Sequence, residues 1–491
     1  MNAPKPQPTL RLSLFPPLVL FSLIVINVVL FRDDASSGPN QVALLLSAIL
    51  AGGIGHFVLK LDYRAIEKHA IKSIVLAMEA LIILLIVGGL IGLWILGGIV
   101  PAMIVYGINL LNPRVFLLMA CLICSVVSLA IGSSWSTMGT MGVALIGVGQ
   151  ALGFPAPLVA GAIISGAYFG DKMSPLSETT NMAPGIAGSN LFIHIRHMFY
   201  TTAPAYTLTI AGFTAIGLFY TPGEFSAEQV ADVTQTIHNT FHIHWYLMLV
   251  PVIVIIMAAR QMPPIPALVA GGLLGALTAL FVQPQHFLVD GAFSWRAGYM
   301  RVIDTAYNGF ALHTGNEMVD NLLARGGMLS MFSTITLVLT AMLFGGAMEA
   351  TGMLSRLAHA ILSRVRGAGS LISATVASCI LFNIAAAEQY LAIVIPGRMF
   401  RSAYAERRLD PRNLSRALED GGTVTSVLVP WNTCGAFASS VLGVATFAYL
   451  PFCLFNWLCP LVSITMASLH LAIKPLDVEP TPEVQPETEV S

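Results

Sequence analysis

Four clusters of hydroxyl, amide and carboxylate side chains interrupt otherwise apolar stretches of this 491-residue chain. The first is Ser133-Ser134-Trp135-Ser136-Thr137-Met138-Gly139-Thr140. The second runs from Gly170-Asp171-Lys172 through Ser174-Pro175 to Ser177-Glu178-Thr179-Thr180-Asn181. The third is Asn383-Ile384-Ala385-Ala386-Ala387-Glu388-Gln389-Tyr390. The fourth, Glu419-Asp420-Gly421-Gly422-Thr423-Val424-Thr425-Ser426, leads into Pro430-Trp431-Asn432-Thr433-Cys434-Gly435. Oxygen donors of these kinds suit a hard cation such as Na+. A carboxyl removed from water favours its protonated form, and a cation beside it favours the ionised form. Proton and cation would then compete for one group, which is the chemistry of an exchanger.

Acids inside apolar segments are costly and are functional candidates by default. Glu388 and Glu178 lead as the carboxylates that trade proton for cation. Asp171 and Asp420 come second; Asp171 adjoins Lys172, where a local ion pair is the competing structural role. Ser134, Thr140, Thr180, Asn181, Asn383, Thr425, Asn432 and Thr433 are the candidate oxygen ligands for Na+. Glu419 follows Arg412 and Arg416 and reads as an interface residue. Glu79, in an otherwise apolar span, is either a structural partner or a proton group. His238, His242 and His244 read as solvated or interfacial. Cys121-x-x-Cys124 has metal-ligand spacing but no second ligand pair nearby, and the six cysteines read as apolar packing residues. There is no nucleophile and base pair and no Walker motif, so neither an enzyme nor ATP drive is expected. No cofactor is expected beyond the transported Na+ and H+.

The elements that must hold these residues follow from composition. Hydrophobic residues make up 56% and charged residues 10%, against about 25% charged in soluble domains. The apolar runs have the length, about 20 residues, that crosses a bilayer core. The net charge of −1 offers nothing to nucleic acid. The expected fold is therefore an all-α polytopic membrane protein of about 10–13 transmembrane segments. Spans are expected near 13–31, 41–59, 74–96, 98–112, 115–131, 136–150, 156–169, 184–194 and 200–220. The second half offers 245–259, 265–282, 329–348, 370–382, 389–396, 422–429 with 434–446, and 448–472.

In each half a polar tip between two apolar arms precedes a segment broken by Ser, Thr and Pro. That order suggests two inverted repeats, each a re-entrant hairpin plus a broken helix. The expected divisions are a disordered N-terminus at 1–10 and a first transmembrane half at 11–220. A connecting region at 221–327 leads to a second half at 328–472 and a disordered acidic tail at 473–491. Within the connection, 283–327 fits either an interfacial amphipathic helix or an intrahelix loop.

Lys60, Arg64, Lys68 and Lys72, and a basic loop of Arg398, Arg401, Arg407, Arg408, Arg412 and Arg416, mark the cytoplasmic side. Asp33, Asp34, Glu224, Glu228 and Asp232 mark the outer one. Both termini are then cytoplasmic, in the cell inner membrane. The expected partners are the lipid bilayer, small cations or organic anions as substrates, and no nucleic acid. A homodimer is compatible with the pattern, although no motif specifies one. Gly52-Gly53, Gly88-Gly89 and Gly271-Gly272 read as helix-packing surfaces.

At these clusters the sequence resembles the NhaC family of Na+/H+ antiporters, within the ion transporter superfamily. The first-half stretches are Ser134-Trp135-Ser136-Thr137-Met138-Gly139-Thr140, Gly161–Ser177 and Thr179-Thr180-Asn181. The second-half stretches are Gln389-Tyr390, Pro396-Gly397-Arg398-Met399-Phe400, Asn413-Leu414-Ser415-Arg416, Glu419-Asp420 and Val429–Gly435. The resemblance spans roughly residues 10–472 and implies Na+/H+ antiport by alternating access. The family also holds exchangers of malate for lactate coupled to Na+ and protons, a rival in which Lys172 is the candidate anchor for an organic anion. Two positions depart from the family pattern. Glu178 stands in Ser-Glu-Thr-Thr and Glu388 in Ala-Glu-Gln-Tyr, where the family has Asp. Each keeps the acid and adds one methylene. Asn383-Ile384-Ala385-Ala386 is also less polar than the family's Thr-containing tip.

Overall fold

The computed structural model describes residues 7–31, 34–35, 37–220, 227–289 and 291–476. Residues 1–6 and 477–491, where most of the expected disordered termini fall, lie outside these, as do Asp33, Glu224, Asp290 and the side chain of Glu228. The helix expected near residue 13 begins at Leu10. Residues at the head of the expected tail are held in place. The Lys474 amide donates to Asn413 Oδ1 at 3.0 Å, and Pro475 bridges Leu409.

Among the described residues, eight helices are long and apolar enough to cross a membrane, or ten if each of two sharply bent pairs counts as one span. The count of ten meets the lower end of the expected 10–13. They include Leu10–Phe31, Pro39–Val58, Met78–Leu96, Pro113–Ile131, Pro264–Val282 and Leu329–Ala350. A bilayer offers backbone groups no partners, so helices are the form such segments take.

Among the helices that carry the polar clusters, the same order of elements occurs twice. In the first half, Pro113–Ile131 leads to a tip at Gly132 and Ser133, then to a returning arm ending in Val143–Ala151. Ala156–Met173 follows, breaks at 174–177, and resumes as Glu178–Ala187 before the long helix Leu191–Phe219. In the second half, Ala368–Ala385 leads to a tip at 386–388 and the returning arm Gln389–Glu406. Pro411–Leu418 then runs through a π-turn, Glu419–Thr423, breaks, and resumes as Thr433–Leu442 before Leu454–Ser468. The halves interlock: Glu178–Ala187 packs on Gln389–Glu406 and Pro411–Leu418, while Thr433–Leu442 packs on the first returning arm.

Several boundaries differ from expectation. The spans expected at 184–194 and 200–220 are replaced by one 29-residue helix, Leu191–Phe219. Asn190 caps its start by accepting from the amides of Phe192 and Ile193, and Pro204 is carried inside it. The second returning arm likewise continues through Pro396 to Glu406. Most of the expected basic loop is therefore helical, and Arg416 is fully buried. Within 283–327 the helix Trp295–Asn308 packs on Met78–Leu96, as an amphipathic helix would.

The hairpin and broken helix of the first half meet at glycines. A Cβ on Gly166 would collide with the carbonyl oxygen of Cys121, and one on Gly170 with that of Ser125. Small residues four apart let two backbones approach this closely. Gly166→Ala is expected to destabilise the protein by about 1–3 kcal/mol through overpacking, read as a fall in melting temperature of the detergent-purified protein.

Candidate cation-binding site

Both hairpin tips turn through a left-handed residue, Gly132 at φ 77° and Ala387 at φ 59°. Alanine tolerates this conformation at a cost of about 1–2 kcal/mol. The next residue in each case is extended and caps the returning arm. Ser133 accepts from the Ser136 amide at 3.2 Å, and Glu388 accepts from the Tyr390 amide at 3.3 Å. Glu388 thus occupies the place in the second tip that Ser133 occupies in the first. The resumed arms are capped in the same manner, by Ser177 before Glu178 and by Asn432 before Thr433. Three helix N-termini, at 178, 389 and 433, present partial positive charge here, and Glu178 and Glu388 sit where that charge favours a carboxylate.

These ends surround a cavity of about 930 Å³. Glu79, Asp171, Glu178 and Glu388 line it, together with Ser134, Thr140, Asn181 and Thr433. No lysine, arginine or histidine is among the described residues that line it. Tyr390 links two of the acids: its hydroxyl donates to Glu178 Oε2 at 2.6 Å, and its amide donates to Glu388 Oε1. Asp171 accepts from the amide and hydroxyl of Ser134 at 3.1 and 2.7 Å. Glu388 is 3% exposed and Asp171 8%. Glu178 and Glu79 are open to the cavity. The oxygens on the cavity wall are of the kinds that suit a hard cation, and among the described residues no three of His, Cys, Asp or Glu come close enough together to hold a metal ion.

The other candidates lie elsewhere. Asn383, Thr425 and Asn432 form a buried brace. Asn383 Nδ2 donates to the Gly422 carbonyl at 2.7 Å and to Thr425 Oγ1 at 3.0 Å, and Asn432 Nδ2 donates to Asn383 Oδ1 at 3.1 Å. Thr180 ties the first break by donating to the Lys172 carbonyl at 3.0 Å. Asp420 is fully buried and outside the cavity. It accepts from Lys172 Nζ at 2.7 Å and Thr201 Oγ1 at 3.1 Å. The competing structural role for Asp171, a local pair with Lys172, does not form: Lys172 reaches across to Asp420 of the other half, because adjacent residues on a helix point in different directions. Glu419 is also fully buried rather than interfacial, because the chain from Arg416 continues inward as the π-turn.

Tyr390 is a functional candidate that the sequence does not single out; its place two residues after the capping Glu388 is the available signal. None of the three clustered histidines lines the cavity. All six cysteines are buried and free, and no metal-binding group of His, Cys, Asp or Glu occurs among the described residues.

The family model described as the Na+/H+ antiporter family matches residues 166–469, which include Asp171, Glu178 and Glu388. The chain belongs to the Na+/H+ antiporter family. It is 36% identical to the Na+/H+ antiporter NhaC of Alkalihalophilus pseudofirmus, over 93% of this chain and 94% of that one. It is 37% identical to the malate-2H+/Na+-lactate antiporter of Bacillus subtilis, over 89% of each. It is 34% identical to the arginine/ornithine antiporter ArcD of Halobacterium salinarum, over 99% of this chain and 97% of that one. The antiporter family thus includes relatives whose names carry different substrates.

Proposed function

We propose that the protein exchanges Na+ for H+ across the cytoplasmic membrane by alternating access, with Glu388 and Glu178 as the carboxylates for which proton and cation compete. The observation that carries this reading is a cavity lined by four acids and no described basic side chain. Asp171, Ser134, Thr140 and Thr433 supply further oxygens on its wall.

The basic helix Tyr63–Leu76 leads into Met78–Leu96, whose first turn carries the cavity residue Glu79. The loop from Gln261 to Pro264, which follows Arg260, also lines the cavity. The positive-inside tendency supports a cytoplasmic position for this side of the cavity. At the far end, Arg325 donates to the Leu442 carbonyl at 3.3 Å and to Gln150 Oε1 at 2.9 Å, joining arms from both halves. Two inverted repeats rocking about the cavity would exchange the open and closed ends.

An organic-anion substrate is less well served. Lys172, its candidate anchor, is held by Asp420 and does not line the cavity. In inside-out vesicles with a pH-sensitive dye, Na+ or Li+ is expected to dissipate an imposed pH gradient, and malate is expected not to. No response to either cation would sink the reading. The volume also leaves room for a larger cation, so arginine is to be compared in the same assay.

A further inference from the structure

Away from the cavity, the π-turn Glu419–Thr423 carries a carboxyl that the exchange site does not use. Glu419 is fully buried, and neither of its oxygens has a hydrogen-bond partner among the described residues. Buried carboxylates rarely remain so. The Thr423 hydroxyl faces it and is also without a partner among the described residues. So are the hydroxyls of Ser378 and Ser463, on two helices packed against the turn. These groups lie on three elements that pack against one another.

The surrounding charges make this carboxyl unusual. Lys172 and Asp171 approach from Ala156–Met173, Cys379 from Ala368–Ala385 and Cys459 from Leu454–Ser468. His194 and His197, from Leu191–Phe219, face Asp420. Arg416 lies 3.9 Å from Asp420, with Tyr404 of Gln389–Glu406 beside it. Two cations, Lys172 and Arg416, partner the anion Asp420, while Asp171 is a further acid that turns away to Ser134. Ionised, Glu419 balances the charges of Lys172, Arg416 and Asp420 but has the Thr423 hydroxyl as its one facing donor for two oxygens. Protonated, it avoids that penalty and leaves one positive charge in excess. Neither form is fully served, which is the condition for a proton to enter and leave readily.

The turn is also joined to the cavity. The carbonyl of Gly422 accepts from Asn383, which accepts from Asn432, the cap of the arm that brings Thr433 to the cavity wall. We propose that Glu419 is a second proton-carrying group of the exchange cycle, separate from the cavity carboxylates, which releases its proton when a cation occupies the cavity. The Glu419 O–H bond breaks and water accepts the proton; no other reactant is needed. This rests on the Na+/H+ reading above.

The test compares wild type, Glu419→Gln and Glu419→Asp in proteoliposomes, measuring protons moved per Na+ and the pH profile. Glu419→Gln is expected to move one proton fewer per Na+, with the KM for Na+ changed less than about twofold, and Glu419→Asp to restore the wild-type ratio. A folded Glu419→Gln with the wild-type ratio and pH profile overturns the proposal. If the variants do not fold, purified wild type decides: Na+ binding is expected to release more than one proton per cation, and a release of one or fewer overturns it. Absence of Na+/H+ exchange by wild type would instead count against the exchange reading itself.

Discussion

Glu388→Gln is expected to reduce Na+-driven proton movement at least about 100-fold while leaving the protein folded. The amide has the shape of the carboxyl, and its oxygen can still accept from the Tyr390 amide, so the cap on Gln389–Glu406 survives. What is lost is the negative charge and the exchangeable proton. Interactions of a charged group are worth about 1.5–3 kcal/mol each, and a cation ligand that is also the proton carrier loses both functions together. The measurement is the initial rate of gradient dissipation in vesicles, normalised to the amount of folded protein. A rate within about threefold of wild type would remove Glu388 from the mechanism. Glu388→Asp keeps the acid and shortens it by one methylene. It is expected to retain exchange with a changed Na+ to Li+ preference, because the cavity wall recedes while its charge remains.

Lys172→Met is expected to have the largest effect on stability. Lys172 and Asp420 are both fully buried and 2.7 Å apart. Removing one member of such a pair leaves an uncompensated interior charge and costs about 3–5 kcal/mol. Asp420→Asn is expected to cost a similar amount, since Lys172 then loses its acceptor and Arg416 its nearest acid. The double variant is expected to lose less than the sum, because neither charge is then left alone. Melting temperatures of the four proteins in detergent check this. Simple addition of the two single effects would show that the pair is not coupled.

The transmembrane class, the four polar clusters and most span positions were legible in the sequence, because each depends on composition over a short window. The hydrocarbon core demands long apolar runs, and a polar interruption stands out against them. Glu388, Glu178 and Asp171 could be picked out on that basis, and the structure brings all three to one cavity. Helix ends at prolines were harder. Pro396 looks like a break in one dimension, where the span expected from 389 ends, yet it is carried inside Gln389–Glu406. Neighbouring helices can satisfy the backbone groups that a proline frees.

By itself the sequence determined which oxygen-bearing residues interrupt the membrane segments, and hence that a cation and a proton are the species such groups can hold. Only the tertiary structure decided which of them act together. Asp171 and Lys172 are neighbours in the chain, but one turns to Ser134 and the other to Asp420, 248 positions away. Asp420 and Glu419 are neighbours too, yet one is paired and the other has no hydrogen-bond partner among the described residues. Burial and partnership depend on which elements pack against each face of a helix, and that packing is made by residues far apart in the chain.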